Sequence, residues 1–191
     1  MPSRSLDEAY FDRLYATADD PWNFATSPYE RDKYVATLAA LGAKRFTRAF
    51  EIGCSIGVLT AMLAPRCDGL LSIDISERAI ALARERCGEQ ANLRIEKMTF
   101  PGEFPAGNFD LVVLSEVGYY WSDGDLSLAK DRIAKLGAGG LLQLVHFLPK
   151  VEEYVRDGDA VHAAFIDDPR FTAVGAARRE KYRIDVLRVA D

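Results

Sequence analysis

Apolar positions along the chain follow two alternating periods. Ala49-Phe50-Glu51-Ile52 and Leu70-Leu71-Ser72-Ile73-Asp74 are apolar runs of strand length, and between them Val58, Leu59, Met62 and Leu63 recur at helical spacing. This predicts a buried strand, a tight turn at Gly53, a helix and a second strand, which together form a βαβ unit. The alternation then repeats. Ser76 caps a helix through Ala79, Ile80, Ala83 and Arg84, and Leu93-Arg94-Ile95 alternates as a third strand ending near Lys97-Met98-Thr99. Phe109 to Glu116 is almost continuously apolar, as a strand buried on both faces requires. After the aromatic cluster Tyr119-Tyr120-Trp121, a helix carries Leu126, Ala129, Ile133 and Leu136 up to Gly137. A fifth strand, Leu141 to Val145, ends at His146. Residues 151–155 are too short a stretch to assign; beyond them Val161, His162, Phe165 and Ile166 mark a helix. Phe171 to Val174 and Tyr182 to Val189 are two closing strands with no helix between them.

Ahead of this array, Leu6, Tyr10, Phe11 and Leu14 give a short amphipathic helix, broken by the turn chemistry of Asp19-Asp20-Pro21-Trp22-Asn23. Ser27-Pro28-Tyr29-Glu30 then combines an N-cap Ser, a Pro at the first helical position and a Glu three residues after the Ser. The helix it starts buries Tyr34, Leu38 and Leu41 and stops at Gly42. None of this is needed to build a sheet, so residues 1–42 are expected to cover a core formed by 43–191 within a single domain. The core is an α/β, Rossmann-like arrangement: seven strands, mostly parallel, with an antiparallel strand near one edge. Ligands of such sheets sit at the carboxyl ends of the strands. Glu51, Asp74, Thr99, Ser115, Glu116 and His146 all fall at predicted strand ends.

Composition narrows the partners. A net charge of −5 without any Lys/Arg block gives no general attraction to nucleic acid or an anionic membrane, so neither is expected. The polar start of the chain has no apolar segment of signal-peptide length and no stretch reaches membrane-spanning length, which points to the cytoplasm. The three cysteines, Cys54, Cys67 and Cys87, are odd in number and lack a C-x-x-C pair, so no disulfide framework, zinc site or other metal is expected. Cys54 reads as a small loop residue rather than a nucleophile.

The glycine-punctuated turn carries the candidate chemistry. Glycine permits backbone torsions and close ligand approach that a Cβ forbids, and Asp74, about 20 residues past the loop, is placed to accept hydrogen bonds from the two hydroxyls of a ribose. The dinucleotide fingerprint G-x-G-x-x-G fails, because Ser55 holds its middle position and Val58 its last. A nicotinamide dehydrogenase therefore ranks behind other readings. The pattern Glu51-Ile-Gly53-Cys54-Ser55-Ile-Gly57 resembles the S-adenosylmethionine loop of class I methyltransferases. With Asp20-Pro-Trp22, Tyr29-Glu-Arg31 and Ser115-Glu-Val-Gly-Tyr-Tyr120, the sequence is similar to the NodS family of nodulation N-methyltransferases.

That resemblance implies the class I methyltransferase fold, S-adenosylmethionine as cofactor with S-adenosylhomocysteine as product, and a small-molecule acceptor, an amine such as an amino sugar. It places the cofactor against Glu51, Gly53, Cys54, Ser55 and Gly57, against Asp74 and Ile75, and against Met98, Thr99 and Ser115. Many relatives carry an acid after the third strand for the adenine amino group; Lys97-Met98-Thr99 has none, which leaves the backbone or the Thr99 hydroxyl. The segment from Leu148 to Arg170 also departs from the nodulation enzyme. Arg31 is a candidate for the methionyl carboxylate through a bidentate pair, against the alternative of a solvated helix charge. Tyr10 and Trp22 line the cleft beside the sulfonium or serve as core aromatics. Glu116 is the first candidate for receiving a proton from the acceptor, or else a loop cap, and His146 is the competing base. Tyr119, Tyr120 and His162 are candidates for the acceptor pocket. An O-methyltransferase of a hydroxylated metabolite and a cofactor-binding regulator without transfer activity stay open as alternatives.

Overall fold

Short polar side chains start most of the helices. In the computed structural model, which describes residues 4–191, Asp7 caps α1 (Glu8–Thr17) by accepting from the Tyr10 N–H, and Ser27 caps α2 (Pro28–Ala40) by accepting from the Glu30 N–H. Ser76, Ser122 and Asp157 cap α4 (Glu77–Cys87), α5 (Asp123–Leu136) and α6 (Gly158–Ile166) in the same way. The helix α3 (Val58–Leu63) instead leaves directly from the left-handed Gly57 and continues into a 3₁₀ turn, Ala64–Arg66. The first three residues of the polar start read above, Met1 to Ser3, lie outside the described residues.

Seven strands form one sheet in the order β3-β2-β1-β4-β5-β7-β6. They are β1 (Ala49–Ile52), β2 (Leu70–Asp74), β3 (Leu93–Lys97), β4 (Leu111–Ser115), β5 (Leu141–Phe147), β6 (Phe171–Arg178) and β7 (Tyr182–Val189). The first five pair in parallel, and β7 inserts antiparallel between β5 and β6. The expected mixed sheet is thus present, with its one reversed strand next to the edge. Strand order reverses between β1 and β4, so a crevice opens at their carboxyl ends.

Alternation along the central strands supplies both faces of the core. Phe50, Ile52, Val112 and Leu114 pack with Ala129 and Ile133 of α5, whereas Ala49, Leu111 and Val113 pack with Leu59 and Leu63 of α3 and Tyr34 of α2. Several strand ends differ from the expected ones: β6 runs on to Arg178 rather than stopping at Val174, and β4 stops at Ser115 rather than Glu116. β4 starts at Leu111 rather than Phe109, because the Phe109 N–H donates to the Leu136 carbonyl at the end of α5. β5 runs on to Phe147, since the antiparallel β7 offers it partners through Tyr182. The Val151 to Val155 segment forms turns only, and Leu38 is half-buried rather than buried.

Of the N-terminal helices, α1 lies over the carboxyl ends of the strands, while α2 packs beside α3 on one face of the sheet and brings only its first turns to the cleft. The Leu6 N–H donates to the Tyr120 carbonyl at 2.9 Å, and Phe11 meets the Tyr120 ring edge-on at 5.0 Å. Among the described residues no helix is long and apolar enough to cross a membrane.

Candidate active site

The crevice between β1 and β4 deepens into a cavity of about 790 Å³, roofed by α1 and the first turns of α2. Its floor is the turn after β1. Gly53 has φ +86°, and a Cβ there would come within 2.1 Å of the Val117 side chain, so the turn can pass under β4 only as glycine. Ser55 also adopts a left-handed conformation, φ +47°, which a non-glycine residue holds only when its surroundings fix it. Here they do: the Ser55 N–H donates to Asp74 Oδ2 at 2.9 Å, and its hydroxyl is 2.6 Å from that of Tyr15 on α1.

Asp74, at the end of β2, also accepts from the Ser76 N–H through Oδ1 at 3.0 Å. Backbone N–H groups thus hold both carboxylate oxygens, that of Ile75 adding to those of Ser55 and Ser76, and the group lines the cavity. Burial pushes this carboxyl up, opposed by the backbone N–H groups. On one side of Asp74 the wall is Ile75, Met98, Thr99 and Phe100; on the other it is Ser115, Glu116 and Tyr119. Cys54, Trp22 and Tyr120 also line the space. Burial raises the Cys54 thiol well above its ordinary range, so it is no thiolate nucleophile.

A buried charge cluster forms the wall beyond β4. Lys33, 1% exposed, contacts Glu116 Oε1 and lies 2.8 Å from Glu30 Oε2. Glu116 Oε2 accepts from the Tyr119 hydroxyl at 2.6 Å and from the Phe147 N–H at 2.9 Å. Glu116 itself has φ +58°, a strained conformation held by these contacts. Burial alone would lower the Lys33 ammonium; Glu116 and Glu30 outweigh it and hold the group charged, above its usual range. The trio carries two carboxylates against one cation, and the Tyr29 and Tyr34 rings flank the ammonium at 5.4 and 5.9 Å.

Six residues that the sequence placed at the site lie off the cavity wall. Glu51 points between β2 and α3, where Ser72 and Thr60 donate to its Oε2 at 2.6 and 2.7 Å, and full burial pushes its carboxyl up. Gly57 answers to packing: a Cβ there would meet Ala83 of α4 at 2.9 Å. Arg31 is exposed on the outer side of α2, and the cation turned inward is Lys33. Tyr10 points outward and donates to Glu153 at 3.3 Å; burial and that carboxylate push its phenol up to about 12.

The two histidines lie behind the wall, where β5 alternation turns His146 toward α6 and Phe147 toward the cavity. His146 Nε2 accepts from the Gly118 N–H at 3.2 Å, its Nδ1 meets His162 Nε2 at 3.1 Å, and His162 Nδ1 meets Asp185. A backbone N–H can only donate, so Nε2 of His146 is bare and both rings are neutral with the proton on Nδ1. Burial lowers both imidazoles, for His162 against the opposing pull of Asp185.

Among the contributors that went unread in the sequence are Lys33, Tyr15, Tyr29, Phe147 and Tyr154. Helical spacing held a signal for one of them, since Glu30, Lys33 and Thr37 fall on one stripe of α2 and all are buried.

The site can be set beside known proteins. The family model described as Nodulation protein S (NodS) matches residues 10–138. Nodulation protein S of Rhizobium tropici is 33% identical over 129 residues, 67% of this chain and 51% of that protein. The Bradyrhizobium diazoefficiens protein of the same name is 34% identical over 112 residues, 55% of this chain and 51% of that protein. The matches thus span about half the length of these curated relatives. Among solved structures, N-methyltransferase NodS from Bradyrhizobium japonicum WM9, in complex with S-adenosyl-L-homocysteine, superposes with a TM-score of 0.84 at 26% identity, covering 96% of this chain and 98% of that one.

Proposed function

Because the chain belongs to the NodS family, we propose that it is an S-adenosylmethionine-dependent methyltransferase whose acceptor is the nitrogen of a small amine. The observation that carries this reading is Asp74, a carboxylate on the cavity wall that backbone N–H groups fix through both oxygens, at the strand end suited to receive a vicinal diol. The volume of about 790 Å³ suits a nucleoside with a second small molecule beside it. The apolar slot of Ile75, Met98 and Phe100 fits a purine, with Thr99 as a polar partner.

When bound, the cofactor supplies a methyl group on a sulfonium, so that an N–C bond forms as the S–C bond breaks and the electron pair stays on sulfur. The chain's own residues align, select and shield. Asp74 would hold the ribose and Met98 would pack on the base, which would leave Ser115, Glu116 and Tyr119 to line the reacting end. The excess negative charge of the Glu30–Lys33–Glu116 cluster attracts an ammonium. A Glu116 oxygen is the atom that receives the acceptor's proton, since only a neutral amine has a lone pair to offer. Tyr119, whose phenol is pushed well above its usual range by burial and by Glu116, stays a donor. His146 faces away and takes no part in that proton transfer.

Calorimetry with S-adenosylmethionine tests the reading. The wild type is expected to bind, and Asp74→Asn to bind about 10- to 150-fold more weakly, the loss of charge-assisted bonds worth roughly 1.5–3 kcal/mol. Equal affinity in the two proteins would exclude the ribose role, and no binding by the wild type would exclude the function.

A further inference from the structure

The acceptor side of the cavity is closed by a segment outside the family match. Past residue 138, where that match ends, Phe147, Val151 and Tyr154 all reach the cavity wall. The turn segment that carries Tyr154 is tied down at several points. The Val155 and Arg156 N–H groups donate to the Tyr119 carbonyl at 3.1 and 3.3 Å. The Arg156 guanidinium donates to the Trp121 carbonyl and pairs with Asp123, each at 2.6 Å. Tyr10 of α1 reaches Glu153 from the other side. Held this way, the Tyr154 ring stacks on Tyr119 with centroids 4.5 Å apart and planes 19° apart, and meets Tyr120 edge-on at 4.9 Å.

The result is a wall of rings around Glu116: Tyr29, Tyr119, Phe147 and Tyr154. Its polar groups are largely committed to one another, because Glu116 already takes donors from Lys33, Tyr119 and the Phe147 backbone, which leaves about one of the roughly four acceptor directions of its carboxylate. A glycan presents many hydroxyls, each needing a partner on desolvation, and this wall has few to offer. An ammonium on an aromatic or aliphatic body finds what it needs, a local negative charge and apolar faces.

We propose, on the premise that the cavity binds S-adenosylmethionine, that Tyr154 is a specificity-determining residue that shapes the acceptor site for a small arylalkyl or alkyl amine and against an amino sugar chain. Tyr29, Glu116 and Tyr119 lie inside the family match, whereas Phe147 and Tyr154 lie past its end.

The test uses the full chain with phenethylamine, cyclohexylamine, glucosamine and deacetylated chitobiose as acceptors. Two readings are taken: kcat/KM from S-adenosylhomocysteine release, and acceptor Kd by calorimetry with S-adenosylhomocysteine present. The wild type is expected to favour phenethylamine over glucosamine by about tenfold or more. Tyr154→Ala should erase most of that preference, and Tyr154→Phe should keep it, because the ring and not the hydroxyl makes the surface. Tyr154→Leu replaces the Ala variant if that protein does not fold, with unchanged cofactor affinity as the control. A wild type that prefers glucosamine or chitobiose, or an acceptor ratio untouched by either truncation, overturns the proposal. Failure to bind S-adenosylmethionine at all would count instead against the methyltransferase reading beneath it.

Discussion

Replacing Lys33 by Met leaves Glu30 and Glu116 facing each other, largely buried, without the cation between them. At an effective dielectric constant of about 20, the 2.8 Å contact with Glu30 alone represents roughly 6 kcal/mol of attraction before desolvation is charged against it. Desolvation cancels much of that, and removing one partner of a buried ion pair costs about 3–5 kcal/mol net. That is a large part of the total stability of about 5–15 kcal/mol expected of such a domain. The loss should depend on pH with a definite sign. Burial already raises the Glu30 carboxyl, and without Lys33 it rises further. Folding then takes up a proton between the unfolded value near 4.5 and the raised folded value, so the deficit is greatest at neutral pH and shrinks as pH falls toward 4.5. Glu30→Gln added to Lys33→Met should restore about half of the loss, because one of the two facing charges is gone. Urea titrations of the three proteins between pH 5 and 8, with constant m-values, read this directly. A cost under about 1 kcal/mol at pH 7.5, or one no smaller at pH 5, would refute the description of this group as a buried charge cluster.

The remaining predictions concern the turn and the histidines. Gly53→Ala must place a Cβ 2.1 Å from Val117 at positive φ, and should lower Tm by about 4–8 °C, as expected for about 2 kcal/mol in a chain of this length; a melt within 1 °C of wild type, roughly 0.5 kcal/mol, would contradict it. Gly57→Ala, which meets the Ala83 backbone instead, should also lose stability yet leave cofactor affinity of the folded protein unchanged, and a matching fall in affinity would return Gly57 to the cavity wall. Nitrogen-15 NMR should find both His146 and His162 neutral at pH 6.5, each with its proton on Nδ1; an imidazolium signal there, or an Nε2 proton on His146, would break the chain of donors from Gly118 to Asp185. Their folded values lie below the unfolded one, so they favour the unfolded state only as pH drops under about 6.5.

Strand and helix periods were plain in the sequence because the central strands β1 and β4 are apolar but for one residue each and five helices carry side-chain caps. The Gly53 turn and Asp74 were legible for a related reason: both sit where an apolar run stops. Side-chain direction at the strand ends was not legible. Glu51 stands two residues from the Gly turn, and only the register with Ser72 reveals that it faces α3. His146 looked like a strand end until β7 extended β5 by one residue and turned Phe147 to the cavity instead. Lys33 was not legible because a lysine 1% exposed runs against ordinary burial preference; the two carboxylates that make it tolerable come from separate elements, α2 and the end of β4. Tyr154 lies on a turn segment without periodicity, so its place against Tyr119 is a tertiary fact alone.

A crystal structure of this chain with S-adenosylhomocysteine tests the central claim most directly. The account predicts both ribose hydroxyls on the Asp74 carboxylate, the adenine in the slot of Met98 and Phe100, and the sulfur turned toward Glu116 and Tyr119. A ligand bound with its ribose away from Asp74, or a cavity that stays empty at saturating ligand, would contradict it.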